Sequence, residues 1–246
     1  MLVFAVAPAC AEQLTVYAAA GVKAPLEQLA KDFSAAGGDT VRLVFDTAGA
    51  AEQRFLVDGG ATFLLTTRQR LEAAVRGGQL SGGVSIDIGD TVGGFAAAPG
   101  ADKPDLSTPD KLRAALLAAP SIAFSDPARG ATVGAHFLRV IDTLGIKEEV
   151  MKKATLARDG VQTMALVRQG KVALGVTQVS EIMQSDPALL VGPFPPRFDL
   201  ATTYALWRRA DASAAATAFA QLLVSAPEQA RLARFGLRPP VAAAPR

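Results

Sequence analysis

The chain has 246 residues, 50% of them hydrophobic and 20% charged, which is ample for one large domain or two smaller ones. A net charge of +2 without any basic block argues against a nucleic-acid partner, and 6% aromatic residues leave little for a base- or sugar-stacking platform. One Cys and one His exclude a Cys/His zinc site and a disulfide within the chain.

Residues 1–11 are apolar and then small, and Ala9-Cys10-Ala11 fits the small-x-small cleavage pattern of a secretory signal, although the basic start of such a signal is missing. The expectation is a cleaved leader and an exported, soluble mature chain beginning near Glu12; a plain apolar N-terminus is the alternative. No other apolar run is long and helical enough to span a bilayer.

Strand-like and helix-like runs then alternate. Residues 15–18 read as a strand, and 26–33 as a helix with Leu26, Leu29, Ala30 and Phe33 on one face. A strand over 41–45 and a helix over 51–57, stopped by Gly59-Gly60, repeat the pattern. A buried strand over 63–65 ends in Thr66-Thr67, followed by a helix over 70–75. Residues 85–88 and 93–98 read as extended segments across a crossover. Ser107-Thr108-Pro109-Asp110 opens a helix with a hydroxyl cap and a first-turn proline. A strand over 121–124, a turn at Ser125-Asp126-Pro127, a helix over 131–144, a helix over 161–169, a strand over 173–177 and a short helix over 179–183 follow. Gly192-Pro193-Phe194-Pro195-Pro196 reads as a linker. A strand over 202–207 and helices over 212–225 and 227–234 complete the chain, with a disordered tail over 241–246. The rhythm predicts helix-covered parallel sheets. The breaks near 88–93 and 193 predict two lobes, one from 12–90 plus 194–240 and one from 91–193.

Two loops carry the functional signal. Thr15-Val16-Tyr17-Ala18-Ala19-Ala20-Gly21 and Phe45-Asp46-Thr47-Ala48-Gly49-Ala50 each deliver small residues from a strand onto a helix start. Small side chains there leave backbone N–H groups open and the helix dipole adds positive potential. Two such ends facing one cleft would receive a small anion, which makes Ala20, Gly21, Thr47 and Ala48 candidate ligand contacts. Thr66 ends the third strand and could line the same cleft. Arg129 could clamp a carboxylate and Thr132 could bind it from a helix start; the alternatives are a solvent-facing Arg and an ordinary cap. His136, four residues beyond Thr132, would share its helix face and could donate to an anion or shuttle a proton, or simply pack. Gln178 reads as a neutral donor or a polar hinge residue, and Asp46 as a loop or hinge hydrogen-bonder. Glu181 with Asp186, and Lys152 with Lys153, read as solvated faces, and Trp207 as core.

In this order, these segments, with Ser125-Asp126-Pro127 and Ala173-Leu174-Gly175-Val176, resemble the periplasmic molybdate-binding protein family, type II solute-binding proteins of ABC importers. The resemblance implies an α/β, type II periplasmic-binding-protein fold: two lobes of parallel or mixed sheet flanked by helices and joined by two crossovers. It also implies a periplasmic, cofactor-free, monomeric protein that captures a small anion and hands it to an ABC permease. Gly21 stands where that family has an oxyanion-binding Ser, Thr47-Ala48 where it often has a Ser pair, and Gln178 where it has a Tyr. These departures point from molybdate toward an organic carboxylate. Asp46-Thr47-Ala48-Gly49, Arg129-Gly130-Ala131-Thr132, His136-Phe137 and Gln178-Val179-Ser180-Glu181 are similar to a divergent branch that includes aconitate isomerase. For that alternative, a cofactor-independent isomerase of an unsaturated polycarboxylate, His136 would be the acid/base and Arg129 the carboxylate clamp.

Overall fold

The structure, a computed structural model, describes residues 11–37 and 39–240; the expected leader, apart from Ala11, and the expected tail lie outside them. In chain order, β1 (Gln13–Ala19) runs through a 3-10 turn (Ala20–Val22) into α1 (Lys23–Gly37), and β2 (Thr40–Asp46) into α2 (Ala48–Val57). β3 (Phe63–Thr67) and α3 (Arg68–Arg76) precede the long β4 (Gly83–Ala97). Then come α4 (Pro109–Ala118), β5 (Ile122–Ser125), α5 (Thr132–Thr143), α6 (Lys147–Met151), β6 (Ala154–Ala157) and α7 (Gly160–Arg168). β7 (Leu174–Gln178) leads into α8 (Val179–Ser185), and β8 (Leu190–Pro193), β9 (Ala201–Arg209), α9 (Ala214–Leu223) and α10 (Ala226–Arg234) end the chain.

The strands form one mixed sheet in the order β2-β1-β3-β9-β4-β7-β5-β6, with β8 also paired to β4. β4 serves both lobes. Its first part, through Val92, pairs antiparallel with β9. From Gly93 onward it pairs with β7 and, from Gly94, with β8. The other crossover is the stretch between β8 and β9, tied to β4 where Gly93 N–H donates to the Leu200 carbonyl at 3.0 Å. Residues 85–88 and 93–98 are therefore one bulged strand rather than two segments. Its register against β9 shifts between Asp87 and Gly89, a bulge near the expected break. The expected linker is in part strand β8, whose one proline, the terminal Pro193, is tolerated because the strand adds on outside the main strand order. β6 and α6 went unforeseen. Both are short, and β6 is an outer strand with two exposed residues and no apolar alternation to announce it.

Each lobe buries its own apolar faces. In β3, Phe63 and Leu65 join one cluster with Leu14, Val16 and Phe219, while Leu64 faces the other way onto Phe55 and Trp207. A strand covered by helices on both sides reads as a continuous apolar run, as Phe63-Leu64-Leu65 does. Trp207 is core, its ring edge-on to Phe55 at 5.5 Å. The second lobe packs Phe95, Phe124 and Phe137 together, the last two at 5.0 Å between centroids. These cores hold rigid the strand ends from which the inter-lobe surface is built.

Candidate functional site

A cavity of about 30 Å³, room for roughly two water molecules, lies between the lobes. The first lobe supplies Ala19, Ala20 and Gly21 from the end of β1, Thr47 and Ala48 from the start of α2, and Tyr204 from β9. The second lobe supplies Ser125, the start of α5 at Ala131–Thr132–Val133, Gly160 at the start of α7, and Thr177, Gln178 and Glu181 where β7 becomes α8. Helix starts from both lobes thus converge on one small space.

Two of these starts are uncapped. The residue before the 3-10 turn is Ala19 and the residue before α5 is Ala131, and neither has a side chain that accepts a hydrogen bond from the turn. Thr67, Thr108, Asp159 and Ser213 each accept an N–H of the helix they precede, while Ile146 before α6 and Ser225 before α10 do not. Alanine is among the poorest caps, and the first N–H groups of a helix have no partner within it. At these two cavity-facing starts no side chain of the preceding residue meets those N–H groups.

Of the residues singled out from sequence, Ala20, Gly21, Thr47, Ala48, Thr132 and Gln178 line the cavity, and Thr66, Arg129 and His136 are not in its wall. Thr66 is buried and its hydroxyl donates to the Ala48 carbonyl at 2.9 Å, which holds the α2 start in place. Arg129 belongs to an inter-lobe latch rather than a ligand clamp. Its Nη2 lies 2.9 and 3.1 Å from the two carboxylate oxygens of Asp46, and its Nε donates to the Arg158 carbonyl at 3.1 Å. The Thr47 hydroxyl donates to the Arg129 carbonyl and accepts from Ala50 N–H, while Gly49 N–H donates to the Gly130 carbonyl at 3.2 Å. The Thr47 backbone is engaged as well: its N–H donates to Asp46 Oδ1 at 2.8 Å and its carbonyl accepts from Ala51 N–H at 2.9 Å. His136 donates from Nε2 to the Phe198 carbonyl at 2.8 Å and packs edge-on against Phe194, bracing the second crossover. Gln178 donates to Thr202 Oγ1 at 3.0 Å, and its buried Oε1 has no hydrogen-bond partner among the described residues.

The sequence reading missed Glu181, Tyr204, Thr177 and Ser125. Glu181 is no solvated residue: it is 9% exposed and lines the cavity. Thr177 Oγ1 donates to its Oε2, which also accepts Gln178 N–H at 3.2 Å. Its carboxyl lies against Gly160, where any Cβ would overlap it. Burial pushes the Glu181 carboxyl up to about 7, against the lowering effect of those two donors and with a smaller upward push from the Asp159 charge. Burial, and then the Glu181 charge, raise Tyr204 well above its ordinary value, so its phenol stays neutral. A signal for Glu181 was present in Gln178-Val179-Ser180-Glu181. An acid at the third helical position reaches back to the backbone N–H before the helix, which here means back to the strand end in the cleft. Of the other residues read as solvated, Lys153 instead donates to the carbonyls of Leu117 and Ala119 at 2.7 and 2.5 Å, closing the end of α4.

Tyr204 also explains Gly21. A Cβ at position 21 would come within 2.6 Å of Tyr204 Cζ and overlap its hydroxyl. The hydroxyl that a Ser at position 21 would bring is supplied here from β9. Gly21→Ser and Gly21→Ala should each cost about 1–3 kcal/mol in urea denaturation, because the clash is at Cβ and not at the hydroxyl. A serine variant as stable as the parent would show that Tyr204 swings clear.

No group of His, Cys, Asp and Glu able to hold a metal occurs among the described residues, and no helix among them is long and apolar enough to cross a membrane. Comparison with known proteins places the site in context. Aconitate isomerase from a Pseudomonas species is 27% identical over 234 residues, 92% of this chain and 87% of that one. The periplasmic molybdate-binding protein of Azotobacter vinelandii superposes with a TM-score of 0.74 at 20% identity, over 93% of this chain and 100% of that one. PEB3 of Campylobacter jejuni, in its L-phospholactate-bound structure, superposes with a TM-score of 0.66 at 14% identity, over 92% of this chain and 99% of that one. The fold is thus that of the molybdate-binding type of periplasmic binding protein. Residues 14–238 match the family described as bacterial extracellular solute-binding protein, and the chain belongs to it.

Proposed function

We propose that this protein captures a small organic carboxylate between its lobes, in the periplasm, and presents it to an ABC permease. The observation that carries the reading is the pair of alanine-capped helix starts, one from each lobe, facing a single cavity. A ligand that caps both starts bonds to both lobes and favours the closed arrangement that the Asp46–Arg129 latch completes. Amides at Gly21 and Ala48, where hydroxyl side chains would suit a tetrahedral oxyanion, favour a flat carboxylate head. The cavity also shares Ala20 and Glu181 with an adjoining groove of about 260 Å³ between α1 and α7, which Lys23 and Arg168 line. A carboxylate head in the cavity would leave the rest of a larger ligand in this groove. L-phospholactate, the ligand of PEB3, carries such a head.

A thermal-denaturation screen of di- and tricarboxylates against molybdate, tungstate and sulfate tests the reading. A true ligand at a hundredfold excess over its Kd should stabilise the protein by about 2.7 kcal/mol. Stabilisation by molybdate or tungstate with none from any carboxylate overturns it.

A second reading, a cofactor-free isomerase of an unsaturated polycarboxylate, is favoured by the aconitate isomerase relative and by an ionisable group near neutrality in the cavity wall. In that case Glu181, and not His136, is placed to move the proton. NMR of trans-aconitate incubated with the protein distinguishes the two: an unchanged spectrum rules out the isomerase for that substrate.

A further inference from the structure

The cavity built for an anion has a carboxyl group in its wall. Glu181 is the acid among the described residues lining it, and the ion pairs of the described residues do not include it. A carboxylate beside a bound carboxylate would repel it, since two such groups sharing a site cannot both stay ionised. Removing the conflict requires a proton. We propose that Glu181 is the proton carrier of this cavity: its protonated carboxyl donates a hydrogen bond to the carboxylate of the bound ligand, so that binding takes one proton from solution.

The proposal rests on the carboxylate reading above, and the balance is simple. The Glu181 carboxylate, one proton from solvent and the ligand carboxylate form a neutral acid hydrogen-bonded to an anion, and no covalent bond between heavy atoms changes. Geometry assigns the oxygen. Thr177 Oγ1 and Gln178 N–H both donate to Oε2, which leaves Oε1 to carry the proton. Gly160 fixes where the carboxyl lies, because only a residue without Cβ lets it rest against the start of α7. Of the surrounding charges, that of Asp159 favours the acid form. Asp159, which caps α7, is negative and engaged with Arg158 and Gln162 N–H. Tyr204 on β9 is neutral. Lys23, Glu27 and Arg168 line the groove beyond, of which Glu181 forms the far wall. Burial already holds the group close to half-protonated at neutral pH, and a second negative charge would raise it further.

The test is isothermal titration calorimetry with trans-aconitate as the probe, from about pH 6 to about pH 9, in paired buffers of different ionisation heat. Above about pH 7 the carboxyls of this probe are ionised, so a fall in affinity seen there belongs to the protein. Affinity should be level on the acid side and fall about tenfold per pH unit above about 7, with uptake approaching one proton per ligand. Glu181→Gln keeps a donor at the site and should bind with no pH slope and no proton uptake. Level affinity and zero uptake in the parent overturn the proposal while leaving the carboxylate reading intact. A slope that survives in Glu181→Gln overturns it too. No binding of trans-aconitate or of any carboxylate from the thermal screen, at any pH, overturns both. Should Glu181→Gln fail to fold, the slope and uptake of the parent still decide.

Discussion

Replacing Gly134 by alanine should cost this protein about 3 kcal/mol or more, the upper end of what overpacking a core does. Gly134 lies in the first turn of α5, where the helix crosses the end of β5. A Cβ there would overlap the Ser125 carbonyl oxygen and come within 3.1 Å of its carbon. Both are backbone atoms, so no rotamer change relieves the contact, and the helix must move away from the strand. The same movement carries Thr132 and Val133 out of the cavity wall, so the variant should lose stability and ligand affinity together. Urea denaturation checks the first and titration with whichever ligand the thermal screen yields checks the second. Gly59 is the control: nothing lies within 4 Å of a Cβ there, and Gly59→Ala should change stability by less than about 1 kcal/mol. A comparably small loss in Gly134→Ala would mean that α5 slides on β5 without strain, and the close approach would not be what sets the helix start.

The two loops at the head of β1 and β2 were legible in sequence because everything that makes them is local. A buried strand, a run of small residues and an amphipathic helix sit within a few positions of one another, and the structure puts Ala20, Gly21, Thr47 and Ala48 in the cavity wall. Order and alternation of elements were legible for the same reason, and they fix the fold. What escaped depends on residues far apart in the chain. Tyr204 reaches Gly21 across the sheet, through β9 and β3. Arg129 meets Asp46 because the 3-10 turn Pro127–Arg129 and the end of β2 face each other across the cleft, 83 positions apart. His136 shares a helix with Thr132 as expected, yet its Nε2 donates a hydrogen bond to the crossover carbonyl of Phe198. Glu181 was the avoidable miss. Its spacing from Gln178 is the local capping pattern, and a neighbouring Asp186 made it look like one more charged surface residue.

Glu181 should also make the stability of the unliganded protein depend on pH, in a direction opposite to most buried acids in ion pairs. Folding raises its pKa from an ordinary 4.5 to about 7, chiefly by burial. The folded chain therefore binds this proton more tightly than the unfolded chain does. Stability from this group is fully present below about pH 4.5, declines as pH rises through the interval, and is lost above about 7. The size is about 3 kcal/mol across that window, a large part of the 5–15 kcal/mol that typically holds a domain together. Other groups titrate as well. Burial raises Glu228 in the same sense, while a hydrogen bond from Arg231 lowers Asp32 and one from Tyr17 lowers Asp58, in the opposite sense. All three are common to the parent and to Glu181→Gln, so the difference between their urea stabilities isolates the cavity acid. That difference should shift against the parent by about 3 kcal/mol between about pH 4.5 and about pH 7 and then level off. A difference that stays constant over the whole range would mean that Glu181 is solvated in the folded protein, and the cavity wall would then carry an ordinary carboxylate that repels the anion its amides are arranged to hold.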